Sequence, residues 1–224
     1  MAILTGNMLK LIAAFAMLLD HIGLMFFPDV LAFRIVGRLS FPVFAFMIAE
    51  GCRYTRNRRR YWGLLTALAA VCQVVYYLFD GSLYFSVLVT FSLSILTIYV
   101  LDWWKRRPGI PRLLGLLGAF LALHVLNTLF TIDYGFCGCL VPVFASLPVG
   151  TRYDTLTFRI FCLGVGLLPL AAAIGGIQYL SLLAVPVLLC YNGQRGKWNL
   201  KYFFYIFYPL HLAVLQGIAM LTGR

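Results

Sequence analysis

Apolar runs of 14 to 20 residues alternate along this chain with short polar stretches, and the alternation is regular enough to number. A helix needs about 20 apolar residues to cross a hydrocarbon core roughly 30 Å thick. On that measure the pattern predicts helices near 8–27, 39–52, 61–79, 83–101, 113–130, 134–149, 158–174, 176–191 and 202–221. The expected fold is therefore an all-α, polytopic membrane helix bundle of about nine spans (eight to ten), over one domain, 1–224. The second and sixth runs are short for a full crossing. They read as tilted, re-entrant or extended into a neighbouring loop. No internal repeat, low-complexity tract or soluble domain interrupts the series.

Charge fixes the expected orientation. The polar stretches RYTRNRRR (53–60), KRRPGIPR (105–112), TRYDTLTFR (151–159) and NGQRGKWNLK (192–201) follow the even-numbered spans and hold 14 of the 18 Lys and Arg. Lys10 adds to the N-terminal side. The alternate connections, DG (80–81), TIDYG (131–135) and GGIQ (175–178), carry no positive charge. Positive residues are retained on the cytoplasmic side, so the N-terminus is expected in the cytoplasm and residue 224 outside, in a bacterial cytoplasmic membrane. The first run has an apolar core longer than a signal-peptide h-region and no small-residue cleavage site after it, so it is expected to be a retained span. One connection breaks the rule: FPDVLAFRIVGRLSFP (27–42) should lie outside, yet it carries Arg34 and Arg38.

Composition agrees with the bilayer as solvent. The chain is 62% hydrophobic and 11% charged, with mean hydropathy +0.93. A soluble domain carries about 25% charged residues. The net charge of +11 is spread over short clusters between spans, which excludes a nucleic-acid surface. Six cysteines lie mostly in apolar runs and are expected to be buried, inert thiols. Cys137-Gly-Cys139 has no partner ligands at metal spacing, so no metal is expected.

Against this background a few polar residues stand out. Asp20 and Glu50 fall within or near the ends of apolar runs, where an ionisable group costs roughly 2.5–3.5 kcal/mol on insertion scales and is a functional candidate by default. His21 lies thirteen residues into the first span, about 20 Å along the helix, in its outer half. Adjacent helical residues point about 100° apart, so Asp20 is not expected to orient the His21 ring and is free to pair with Arg34 or Arg38. Those two arginines, four residues apart, share a helical face. They read either as snorkelling interface groups or as a pair aimed at an anion, and the second reading is preferred because topology gives them no other reason to be there. His211, in YPLHLAV, is a second intramembrane imidazole. His124 sits in a plain apolar helix and is expected to be structural. Asn192-Gly193 signals a turn, and YFFYIFY (202–208) an interfacial aromatic belt.

DHIG (20–23), FRIVGRLSFPVFAFMIAEG (33–51), DYGFCG (133–138) and YNGQRGKWNLKYFFYIFYPLHL (191–212) together resemble the TraX family, whose namesake is a membrane-embedded pilin acetylase, and the resemblance runs from about residue 8 to 220. It implies kinship with transmembrane acyltransferases and transfer of an acetyl group from acetyl-CoA to an acceptor. His21 falls at the expected catalytic histidine, with Asp20 beside it. Arg34, Arg38 and Glu50 fall in the second block, Asp133 and Tyr134 in the third. Tyr191, Asn192, Gly193, Arg195, Gly196, Tyr208 and His211 fall in the last.

The chemistry expected from residues and resemblance together is general-base catalysis. His21 takes a proton from an acceptor amine or hydroxyl as that group attacks the thioester. A transient acetyl-imidazole is the variant that would carry the group across the bilayer. Arg34, Arg38, Tyr191, Asn192, Arg195 and Lys197 are expected to contact acetyl-CoA, the only cofactor implied, with Arg195 and Lys197 at its nucleotide end. The acceptor is expected to be a pilin-like peptide amine, an envelope glycan hydroxyl or a lipid head group. A small proton-coupled transporter or channel is the alternative, but no inverted repeat of interrupted helices is visible. An inert scaffold would leave DH, RxxxR and the last block unexplained.

The charge pattern makes a direct prediction. In a background without the six native cysteines, a cysteine at position 57 should react with a membrane-impermeant reagent only after cells are opened. Labelling from outside intact cells would invert the map.

Overall fold

The computed structural model describes residues 3–222 except 82 and 199, without the side chains of 79, 80, 201 and 202. Residue 224, expected outside the membrane, lies beyond the described residues. The helices are α1 (Gly6–Phe26), α2 (Leu31–Gly37), α3 (Ser40–Tyr54), α4 (Arg58–Asp80), α5 (Val87–Arg106), α6 (Ile110–Leu129), α7 (Gly135–Ser146), α8 (Leu156–Ile174), α9 (Ala184–Leu189) and α10 (Lys201–Thr222). A 3-10 segment, Gly176–Leu183, precedes α9. Among the described residues no strand forms.

All nine predicted apolar segments are helical, and seven stretches are long and apolar enough to cross a membrane. This is a multi-pass membrane protein. The short second prediction, 39–52, grows at its N-terminal end, because α2 and α3 together make one 24-residue apolar stretch, Leu31–Tyr54. The sixth and eighth stay short, as the 12-residue α7 and as Gly176–Leu189. Three signals set these boundaries. Thr5 and Asn57 cap α1 and α4 by accepting backbone N–H bonds, as short hydroxyl and amide side chains do at helix starts. Gly175 and Gly176, at φ 75° and 55°, end α8 in a conformation that L side chains rarely adopt, so the chain leaves the α path and continues as a 3-10 turn.

The helices pack as two compact units, Met1–Met47 with Ala171–Arg224, and Ile48–Leu170. In the first, α1 packs on α2 and α10. The start of α1 is clamped by the segment after α9. Leu4 N–H donates to the Cys190 carbonyl (2.9 Å), and Asn192 N–H donates back to that of Leu4 (2.9 Å). Gly6 and Asn7 donate to the carbonyls of Gln194 (2.8 Å) and Arg195 (3.0 Å). Those are first-turn N–H groups with no partner inside their own helix, so the YNGQRG loop supplies the missing acceptors.

In the second unit α5 is the central helix, packed by α4, α6 and α7. Thr90, Ser92, Ser94 and Thr97 are buried along it. Ser94 bonds the Cys139 carbonyl (2.8 Å) and Ser92 meets the Thr66 hydroxyl (2.7 Å). Small hydroxyl residues let helices approach closely and bond across the interface where lipid offers no hydrophobic drive. At one end of the unit Phe85 pairs with Ile132. At the other, Lys105 Nζ donates to the carbonyls of Ser146 (2.8 Å) and Leu147 (2.7 Å). The twelve residues of α7, about 18 Å of helix, thus cover the length of α5 with the help of their flanking turns. Arg58 pairs with Asp102 (2.6 Å) and Arg53 with Asp154 (3.6 Å), so the basic loops 53–60, 105–112 and 151–159 gather at the Lys105 end.

Candidate functional site

The first unit brings together residues that lie far apart in sequence. Asp20, near the end of α1, faces α2. Its carboxylate accepts from Arg38 Nη2 at 3.0 and 3.1 Å and pairs with Arg34 Nη1 at 2.9 Å. Asp20 therefore takes both arginines. Glycine makes this possible: a Cβ on Gly37 would lie 2.2 Å from Asp20 Oδ1. The side chains of Asp20, Arg34 and Arg38 are only 17%, 25% and 10% exposed. One carboxylate against two guanidinium groups leaves a net charge of +1 at membrane depth, and the snorkelling reading of the pair does not hold for Arg38.

Beside Asp20, His21 meets His211 of α10 edge to face, ring centroids 5.1 Å apart. Each ring is tied to its own helix: His21 Nδ1 lies 2.9 Å from the Met17 carbonyl and His211 Nδ1 lies 2.8 Å from that of Phe207. A carbonyl only accepts, so each Nδ1 carries a proton, and in the neutral form of each ring the lone pair lies on Nε2. His211 is 6% exposed, and its Nε2 has no partner among the described residues. Phe207 stacks on it at 4.9 Å and Tyr208 meets it edge-on at 5.4 Å. Nothing at the level of sequence joins His21 to His211; the link is the packing of α10 on α1.

The structure adds two residues that the sequence reading passed over. Arg38 Nη1 donates to Gln178 Oε1 at 2.9 Å. Gln178 and Ser181, 1% and 0% exposed, lie in the 3-10 segment and turn inward, although Gly176 just before them is exposed. Irregular backbone at membrane depth is tolerated where protein surrounds it. Gln178 Nε2 and Ser181 Oγ have no partner among the described residues. The available signal was a glutamine two residues after a Gly-Gly pair inside an apolar run. An open apolar groove lined by Ile22, Phe26, Phe27, Leu215, Ile218 and Thr222 lies at the ends of α1 and α10.

The other predicted site residues sit as follows. Tyr191 is buried edge-on against Phe46 (6.1 Å). Asn192 Oδ1 accepts from Gln194 N (2.9 Å). Both shape the loop that clamps α1, with exposed Arg195 and Lys197 on its rim and Lys10 within Coulombic reach of Arg195. Glu50 belongs to the second unit, where it is buried against Arg159, which also pairs with Asp154 (3.3 Å). That ion pair gives Glu50 a structural partner the sequence reading did not foresee. Asp133 accepts from Tyr84 Oη (2.7 Å) and Thr90 bonds its carbonyl (2.6 Å), while Tyr134 caps α7 at φ 60°. Burial, and then the Asp133 carboxylate, push the Tyr84 phenol above its ordinary range. His124, exposed on α6, meets Phe136 edge-on (5.4 Å).

Comparison with known proteins fits this chain into a family. The family described as "TraX protein" matches residues 5–219. A probable fimbrial assembly protein FimC (serogroup H1) of Dichelobacter nodosus is 30% identical, over 95% of this chain and 94% of its own length. Protein TraX of Escherichia coli is 26% identical, over 96% of this chain and 87% of its own. No solved structure matches. The chain belongs to the TraX family.

The charge cluster predicts an order of damage. Asp20→Ala strands two guanidinium groups, and removing one partner of a buried pair costs about 3–5 kcal/mol. Arg34→Ala leaves the Asp20–Arg38 bond intact and should cost less than half of that. Thermal unfolding in detergent should rank the Asp20 variant well below the Arg34 variant; equal midpoints would remove the carboxylate from the centre of the cluster.

Proposed function

We propose that this TraX-family member is a membrane-embedded acetyltransferase that moves an acetyl group from acetyl-CoA to an acceptor amine or hydroxyl. The observation that carries the proposal is the His21–His211 pair, two imidazoles with bare Nε2 atoms fixed beside a cluster of net positive charge. A base at membrane depth and a positive field for a developing anion are the two needs of acyl transfer from a thioester.

In the proposed reaction His21 Nε2 takes a proton from the acceptor as its nitrogen or oxygen lone pair attacks the thioester carbon. The carbonyl electron pair moves to oxygen and the arginine cluster offsets that charge. On collapse the carbon–sulfur bond breaks, and the thiolate leaves with the proton that the imidazolium returns. His211 completes the polar wall and is the second candidate base. Lys10, Arg195 and Lys197 would meet the phosphates of the donor. Along α1, Lys10 and His21 are separated by about 16 Å of helix rise, a separation suited to an extended pantetheine arm. With the N-terminus in the cytoplasm of a bacterial cell, the donor would enter from the side where CoA is made. The groove beyond His21 would then receive an acceptor from the membrane or the far side. A pilin-like peptide amine is the preferred acceptor, in keeping with the fimbrial assembly name of one relative; an envelope glycan hydroxyl is the other.

The test uses purified protein in lipid nanodiscs with radiolabelled acetyl-CoA, scored for transfer, self-labelling and thioester hydrolysis. Loss of a general base lowers rate by about 10²–10⁴-fold, so His21→Ala should lose at least a hundredfold while His124→Ala keeps most activity. Near-full activity in His21→Ala with loss in His211→Ala would move the base to α10. No turnover by the wild-type protein would favour a proton-relay transporter.

A further inference from the structure

Among the polar groups of the first unit, Gln178 has an unusual arrangement of donor and acceptor. Its side-chain oxygen is claimed by Arg38 Nη1 at 2.9 Å, which settles which way the amide faces. The amide NH2 is therefore turned away from the guanidinium. At 1% exposure it has no acceptor among the described residues. Ser181 is 0% exposed and its hydroxyl is unpartnered too. In a 3-10 helix residues three apart eclipse one another, so Gln178 and Ser181 stand on one face of the Gly176–Leu183 segment. Gly175 and Gly176, at φ 75° and 55°, lead into the 3-10 segment that eclipses the two, where an α-helix would leave them about 60° apart on the same face.

Arg38 links this donor pair to the rest of the site, since the same guanidinium bonds Asp20, the residue before His21. A cation bonded to the amide oxygen polarises the amide and strengthens its N–H groups as donors. Two buried donors with no acceptor, one of them sharpened by a guanidinium, form a receptor for a compact oxygen that gains negative charge. Among the described residues Asp20 is the one carboxylate bonded to Arg38, and Arg34 leaves that cluster with a net charge of +1.

We infer that Gln178 and Ser181 are the oxyanion donors of this protein, receiving the thioester carbonyl oxygen as it becomes tetrahedral. The inference rests on the acetyl-transfer reading and extends it. As the acceptor adds to the carbonyl carbon, the C=O pair moves onto oxygen, and that oxygen accepts from Gln178 Nε2 and Ser181 Oγ. When the pair returns, the carbon–sulfur bond breaks. Gln178 is thus a catalytic residue whose contact tightens in the transition state, and Arg38 is the positioning residue that aims it.

Gln178→Glu separates this role from structural support. It keeps an oxygen for Arg38 and removes the NH2 donor. Loss of one such donor lowers kcat by about 10²–10³-fold, so kcat for acetyl transfer should fall by that factor while KM for acetyl-CoA stays within about threefold. Ser181→Ala should show a smaller loss of the same kind, and Gln178→Leu should add a loss of stability because it also strands Arg38. Thermal midpoints in detergent establish that the Glu variant is folded. A Gln178→Glu protein with kcat within a factor of three of wild type overturns the inference and leaves the acetyltransferase reading intact. A wild-type protein that turns over no acetyl-CoA overturns both.

Discussion

One carboxylate holding two guanidinium groups is the interaction on which the first unit depends. Asp20 cannot sit in an apolar span alone, and Arg34 and Arg38 cannot enter it from α2 without Asp20. Their meeting sets the approach of α1 to α2, excludes any side chain at position 37, and draws Gln178 in through Arg38. Burial of an ion cluster is a poor source of stability, because desolvation offsets most of the attraction. A cluster with one charge left over is better understood as a site than as a clasp, and the bare imidazoles of His21 and His211 next to it support that reading.

Much of this was legible in the chain. Runs near 20 apolar residues can only be satisfied as helices in lipid, since every backbone group must be paired internally, and the expected segments are helical. Asp20 pairing with the RxxxR arginines followed from the 100° step between Asp20 and His21. Other features were beyond reach for physical reasons. His21 and His211 are 190 positions apart, and only the packing of α10 on α1 makes them neighbours. Gln178 was passed over because Gly-Gly reads as a surface turn, and residue types do not reveal that the 3-10 segment after it turns Gln178 inward. The YNGQRG loop looked like a donor site from its side chains; much of its work is done by backbone carbonyls that cap α1, which residue types do not reveal.

The second unit shows a different use of polarity. Its Thr and Ser residues on α5 bond across helices at close range, and its charged residues pair at one end: Glu50 with Arg159, Arg58 with Asp102, Arg53 with Asp154. The three acids at that end are each matched to an arginine, as expected of groups that hold helix ends at an interface. Glu50 therefore differs from Asp20 in kind. It looked like a companion of His21 because both are acids in or near apolar runs, and its ion pair with Arg159 became visible only once α8 was folded against α3.

The account's central claim is that the Asp20 cluster and the histidine pair form an acetyl-transfer site within the membrane. The most direct test is a structure in nanodiscs with an acetyl-CoA analogue whose sulfur is replaced by methylene, so that the acetyl group cannot leave. The account predicts nucleotide phosphates at Lys10, Arg195 and Lys197, and an acetyl carbonyl beside His21, within the roughly 3–3.5 Å spacing of reacting groups once the acceptor is aligned. An analogue bound with its acetyl group remote from both imidazoles would contradict it.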